Sequence, residues 1–92
     1  MKKMIIFGGD RLGVIPYKLS NQGFEVLSHI NGRKTNMVKV NIPEETDLVL
    51  VLTDYINHNV TNSIKKLANK KVIPVVYSRR SWSSIAKVLE EQ

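Results

Sequence analysis

Hydrophobic positions along the chain fall into short continuous runs separated by spaced stripes. Met4 to Phe7 is a continuous apolar run that stops at Gly8-Gly9, the pattern of a buried strand. Leu12, Ile15 and Leu19 then recur at helical spacing. Pro16 falls early in that helix, where it is tolerated, and Gly23 follows in a capping position. Phe24 to His29 predicts a second strand, and Asn31-Gly32 a turn. Arg33 to Asn41 is polar, although Val38, Val40 and Ile42 alternate as in an edge strand; Pro43 to Thr46 reads as a turn. Asp47 to Thr53 is the clearest element, continuously apolar and branched as in a strand buried on both faces.

The second half repeats the alternation. Asn57 or Asn59 is placed to cap a helix whose inward stripe is Val60, Ile64, Leu67 and Ala68. Lys65, Lys66, Lys70 and Lys71 face outward or lie near its end, where cations complement the helix dipole. Val72 to Tyr77 predicts a strand with Pro74 inside it, which suggests a sheet edge. Ser81 or Ser83 is placed to cap a last helix that turns Trp82, Ile85, Val88 and Leu89 inward.

Strands that alternate with helices imply a parallel sheet with right-handed crossovers. The expected fold is one α/β domain over residues 1–92, a small three-layer Rossmann-like or flavodoxin-like sandwich. Its four-stranded parallel sheet is expected in the order 2-1-3-4. Ligands of such sheets bind outside the carboxyl ends of the strands, where the order reverses.

Composition narrows the function classes. No apolar run approaches the roughly 18 residues of a membrane span, and the apolar stretch after Lys2-Lys3 is too short for a signal peptide. These features predict a soluble, cytoplasmic protein. A small core makes a homo-oligomer the expected state. The absence of cysteine excludes disulfides and thiolate chemistry. Fourteen Lys and Arg against eight Asp and Glu give +6, with a pI near 9.8, which favours an anionic partner such as a nucleotide or nucleic acid.

The predicted topology gathers the polar chemistry on one edge. The first strand delivers Gly8, Gly9, Asp10 and Arg11, and the second His29, Asn31, Gly32, Arg33 and Lys34. The third delivers Thr53, Asp54, Tyr55 and His58, and the fourth Ser78, Arg79, Arg80, Ser81 and Trp82. Gly8 and Gly13 match the outer glycines of a dinucleotide loop, but Asp10 then takes the middle position, where a carboxylate repels pyrophosphate. No Gly-Lys-Ser/Thr follows, so a Walker loop is excluded. Gly8-Gly9 is then either a tight strand-to-helix turn or the backbone lining of an anion site. Arg79-Arg80 before a serine-rich helix start suits bidentate phosphate binding. Trp82 is either a base-stacking platform or, at helical spacing with Ile85 and Leu89, a core residue. Asp54 is either a general acid/base or an acceptor of backbone N–H groups. His29 and His58 supply too few ligands for a metal unless Asp10 and Asp54 complete the set, and a haem ligand is a further alternative.

These residues resemble the Domain of Unknown Function 2325 family of small bacterial domains, over nearly the whole chain. The matching pieces are Gly8-Gly9, His29-x-x-Gly32, Thr53-Asp54-x-x-x-His58 behind Asp47-Leu48-Val49, and Ser81 to Ser84. The resemblance implies a compact Rossmann-like fold and supports the location of the site. It supplies no reaction, cofactor or substrate.

The functional expectation is a non-catalytic module that holds an anionic, phosphate-bearing ligand at the carboxyl edge. Arg11, Arg33, Arg79 and Arg80 would contact the anion, Gly8-Gly9 would line the site, and Asp54 and His58 would orient a polar group. The alternatives are a metal-dependent hydrolase or phosphoryl-transfer enzyme using Asp10 and Asp54, and a homo-oligomeric interaction protein with no small ligand.

Overall fold

The computed structural model describes residues 1–31, 42–54, 56 and 58–91. These residues form four strands and three helices in the order β1 (Lys2–Gly8), α1 (Ile15–Asn21), β2 (Phe24–Ile30), β3 (Leu48–Leu52), α2 (His58–Lys71), β4 (Val75–Ser78) and α3 (Trp82–Glu90). All neighbouring strands run parallel, in the order β2-β1-β3-β4. The sequence predicted this order, and it puts the reversal point between β1 and β3.

The two faces of the sheet carry separate cores. Successive side chains of a strand point to opposite faces, so β3 sends Leu48, Leu50 and Leu52 one way and Val49 and Val51 the other. On one face Met4, Ile6 and the β3 leucines pack with Leu19 of α1 and Ile85 of α3. On the other, Ile5, Phe7, Val49 and Val51 pack with Val60, Ile64 and Ala68 of α2. The result is a three-layer α/β/α sandwich. Met4 to Phe7 and Val49 to Leu52 are completely shielded from solvent, which explains why both strands read as unbroken apolar runs.

Three expectations need correction at element ends. The first helix begins at Ile15, not Leu12; Leu12 is buried from the loop before it, and Pro16 falls in the first turn. Asn59 lies inside α2 rather than capping it, and Asn57 lies outside the described residues. Val72 to Pro74 is not strand. The amide of Val72 donates to Asn69 O at 3.2 Å and that of Ile73 to Ala68 O at 2.9 Å. These paired bonds close the end of α2 as a Schellman motif. Val72 takes the left-handed position, with φ 58. Pro74 precedes β4, and its carbonyl accepts from the Val49 amide at 3.0 Å. The alternating stretch at Val38 and Val40 lies outside the described residues, whereas Ile42 is fully buried against the α2 face.

Candidate functional site

The carboxyl ends of β1, β3 and β4 are stitched together by backbone and side-chain bonds. The Gly9 amide donates to Asp54 O at 3.0 Å, and the Thr53 amide donates to Ser78 O at 2.8 Å. The Thr53 hydroxyl approaches the same Ser78 carbonyl at 3.4 Å. Asp54 Oδ2 accepts from the Arg80 amide at 3.0 Å. Asp54 therefore ties three segments, through its carbonyl to the glycine loop and through its carboxylate to the start of α3. The structure assigns it the backbone-accepting role.

Residues Gly8, Gly9 and Asp10 follow one another with φ 85, 76 and 57. Glycine meets this requirement at the first two positions, where side chains are also excluded by space. A Cβ at Gly8 would run into the Leu52 carbonyl oxygen, and one at Gly9 would lie 2.5 Å from Leu52 Cδ1. The two glycines therefore serve close approach of the loop to β3 as well as its sharp turn.

The carbonyls of this loop face basic side chains. His29 Nε2 donates to Gly8 O at 2.6 Å, which fixes the ring proton on Nε2, since a carbonyl only accepts. Arg80 Nε donates to Gly9 O at 3.1 Å and also to Arg11 O. The guanidinium lies beneath the loop, where a Cβ added to Gly13 would meet Arg80 Nη2 at 3.6 Å. Gly8 to Gly13 is thus first a cradle for an arginine of the same chain. Asp10 turns outward from this cradle, and its Oδ1 accepts from Asn31 Nδ2 at 3.1 Å.

The start of α3 is capped by Ser81. Its Oγ accepts from the Ser84 amide at 3.3 Å and donates to Ser84 Oγ at 2.8 Å. Ser81 rather than Ser83 is the cap, with the extended backbone that a capping residue adopts. Trp82 packs against the core that holds Ile85, and Lys18 Nζ stands 5.7 Å from its ring centroid. The ring is partly buried in this packing role, and it also lines a surface hollow with Phe24, Ala86 and Leu89.

Of the twelve candidate site residues, Arg33 lies outside the described residues. His29, Asp54 and Arg80 meet around the Gly8-Gly9 turn, while Thr53 joins β3 to β4 beside it and Ser81 caps α3. His58 is exposed at the first residue of α2. Arg11 and Arg79 are exposed, and among the described residues no hydrogen bond or ion pair takes up either guanidinium. No group of three His, Asp or Glu side chains suited to a metal ion occurs among the described residues. Ser78, which the sequence placed at this edge but not among the candidate site residues, is buried, and its hydroxyl donates to Arg79 O at 2.8 Å. A serine ending an apolar strand was the available signal.

Fold and edge together define a small Rossmann-like α/β domain with a basic carboxyl edge. The chain belongs to the Domain of Unknown Function 2325 family, described as an uncharacterized protein conserved in bacteria, which it matches over residues 3–92. No curated protein and no solved structure matches it. No helix among the described residues is long and apolar enough to cross a membrane.

Proposed function

We propose that the protein is a non-catalytic binding module that holds a phosphate-bearing anion, such as a nucleotide, at the carboxyl edge of its sheet. The observation that carries this reading is the contrast among three neighbouring arginines. Arg80 is consumed by the loop carbonyls, whereas the guanidiniums of Arg11 and Arg79 have no partner among the described residues. Arg80 bonds the backbone of Arg11 and is the sequence neighbour of Arg79, so the two open arginines leave the backbone next to one clamped arginine. A guanidinium presents donors in a fixed fork that matches phosphate oxygens.

The local backbone supports the same reading. Among the described residues the amides of Arg11, Leu12, Gly13 and Val14 donate to no backbone carbonyl, and Arg11, Gly13 and Val14 are exposed, which supports a loop with donors for an anion. Binding of this kind needs no ionised acid, and Asp54 is already engaged in holding the edge together. The reading places the protein in the cytoplasm, where nucleotides and nucleic acids occur, and a chain of 92 residues with a small core is expected to work as a homo-oligomer.

A thermal-shift titration with inorganic pyrophosphate and a nucleoside triphosphate tests the proposal, because a ligand of the folded state raises the midpoint by mass action. The expected result is a shift in the wild type that disappears in Arg11→Ala/Arg79→Ala. A wild type that fails to shift with either anion, or a double variant that shifts as much as the wild type, would overturn it.

A further inference from the structure

The charges of this chain are unevenly distributed. Between Asp54 and Glu90 there is no Asp or Glu, yet seven of the fourteen Lys and Arg fall there. Four of the seven lie on α2, whose fourteen residues carry no carboxylate. Lys65, Lys66, Lys70 and Lys71 are all exposed, as are Asn62 and Asn69; Asn62, Lys65, Lys66, Asn69 and Lys70 share the outer side, whereas Lys71, three residues after Ala68 and seven after Ile64, leaves the helix end on the sheet side beside Glu44. The opposite side of the helix, Val60, Ile64 and Ala68, is buried against the sheet. The outer face is therefore made of cations and neutral hydrogen-bonding groups alone.

An ordinary solvated helix interleaves charges of both signs three and four residues apart. Here none of the four lysines has an acid at those spacings, and Lys66 and Lys70 form a like-charge pair one turn apart. That repulsion is unrelieved within the helix. A row of phosphates relieves it. At about 1.5 Å per residue, Lys65 to Lys70 spans roughly 8 Å along the axis, while a nucleic-acid strand places one phosphate about every 3.4 Å along its axis. The lysine row thus matches about two or three successive phosphates.

We infer that the outer face of α2 is a contact surface for the phosphate backbone of a nucleic acid, read without regard to sequence. The charge complementarity of this acid-free face carries the inference. The lysines act as mobile point charges, and the two asparagines supply donors to phosphate or sugar oxygens, the contacts that position a protein on a strand without specifying bases. The surface is separate from the edge site and stands whether or not that site binds a nucleotide.

The test is fluorescence anisotropy of the full chain with a homopolymeric single-stranded DNA and a random-sequence duplex, across a salt series. Lys65→Gln/Lys66→Gln/Lys70→Gln/Lys71→Gln is compared with the same four positions changed to Arg. Both sets replace exposed side chains with good helix formers, and far-UV circular dichroism checks the fold. The wild type is expected to bind, with log K falling linearly as log salt rises. The glutamine variant should lose at least about tenfold in affinity at low salt and about 3 units of slope, while the arginine variant keeps both. In Arg11→Ala/Arg79→Ala the part of the slope that depends on α2 should persist. An unchanged slope in the glutamine variant would sink the inference. So would a wild type that binds vesicles rich in anionic lipid but neither nucleic acid.

Discussion

Arg80 Nε donates to Gly9 O at 3.1 Å across 71 residues of sequence. The bond joins the end of β1 to the turn after β4, with β3 between them in the sheet. Its neighbour bonds share that geometry: Gly9 and Arg80 also meet through Asp54, which accepts from both backbone amides. The edge is consequently a closed circuit of Gly9, Asp54 and Arg80.

Removal of Arg80 should be felt as stability. Arg80→Ala deletes the charged donor to two loop carbonyls, and bonds to charged groups contribute roughly 1.5–3 kcal/mol. We expect a loss of about 2 kcal/mol in denaturant unfolding and faster amide exchange at Gly9 to Gly13. Arg80→Lys should recover little, because an ammonium cannot reproduce the planar Nε position. Full stability in Arg80→Ala would mean that the cradle is incidental.

The glycines should rank by space as well as by φ. At Gly8, Gly9 and Gly23 φ is positive, but an added Cβ meets Leu52 at the first two and nothing within 4 Å at the third. Gly23→Ala should cost only the backbone term of about 1 kcal/mol. Gly9→Ala should cost about 2 kcal/mol or more, since Leu52 must shift within a packed core. Gly8→Ala should be worse still, because the obstacle is a backbone carbonyl. Equal losses at all three positions would refute the close-approach argument.

Val72 makes the reverse prediction. It occupies the left-handed position of the Schellman motif, where glycine is usual, and is 88% exposed. Val72→Gly removes about 1–2 kcal/mol of backbone strain and gives back part of it as chain entropy in the unfolded state. A net gain of ~0.5–1 kcal/mol in unfolding free energy is expected. Destabilisation would show that the side chain makes contacts of value.

Thr46 is the other place where stability can be gained. It is buried, and its hydroxyl has no hydrogen-bond partner among the described residues. An orphaned buried polar group costs about 1–3 kcal/mol, so the near-isosteric Thr46→Val should stabilise by about 1 kcal/mol in thermal or denaturant unfolding. No gain would indicate that the hydroxyl is satisfied in solution.

Asp54 separates a structural from a catalytic role. Asp54→Asn keeps a side-chain oxygen for the Arg80 amide, so a modest stability loss of under about 1 kcal/mol is expected, with pyrophosphate binding retained. Asp54→Ala, which leaves that amide without its acceptor, should lose about twice as much. Binding that vanishes in Asp54→Asn, with the fold intact, would point instead to a carboxylate acting on the ligand.

Much of this protein was legible in the order of its residues. Met4 to Phe7 and Leu48 to Leu52 could only be strands buried on both faces, and that pattern, with helical stripes between, implied the parallel sheet and its reversal point. Ser81, His29, Asp54 and Arg80 could be placed at one edge on topology alone. The strand predicted at Val72 to Pro74 failed because β-branched residues favour strands locally, whereas packing of Ile73 and Ala68 against the α2 face drew the chain into a helix end.

The periodicity of apolar residues thus determined by itself the elements, their order and the side of the sheet on which polar groups collect. It depends only on which side chains must leave water, and that is written locally. Which of those polar groups are spent and which stay open was decided by the tertiary structure. Arg79 and Arg80 are adjacent and chemically identical, yet one faces solvent and the other lies under a loop formed seventy residues earlier. Hydrogen bonds depend on distance and angle between segments far apart in sequence, so only the folded chain separates the arginine that builds the site from those left to bind.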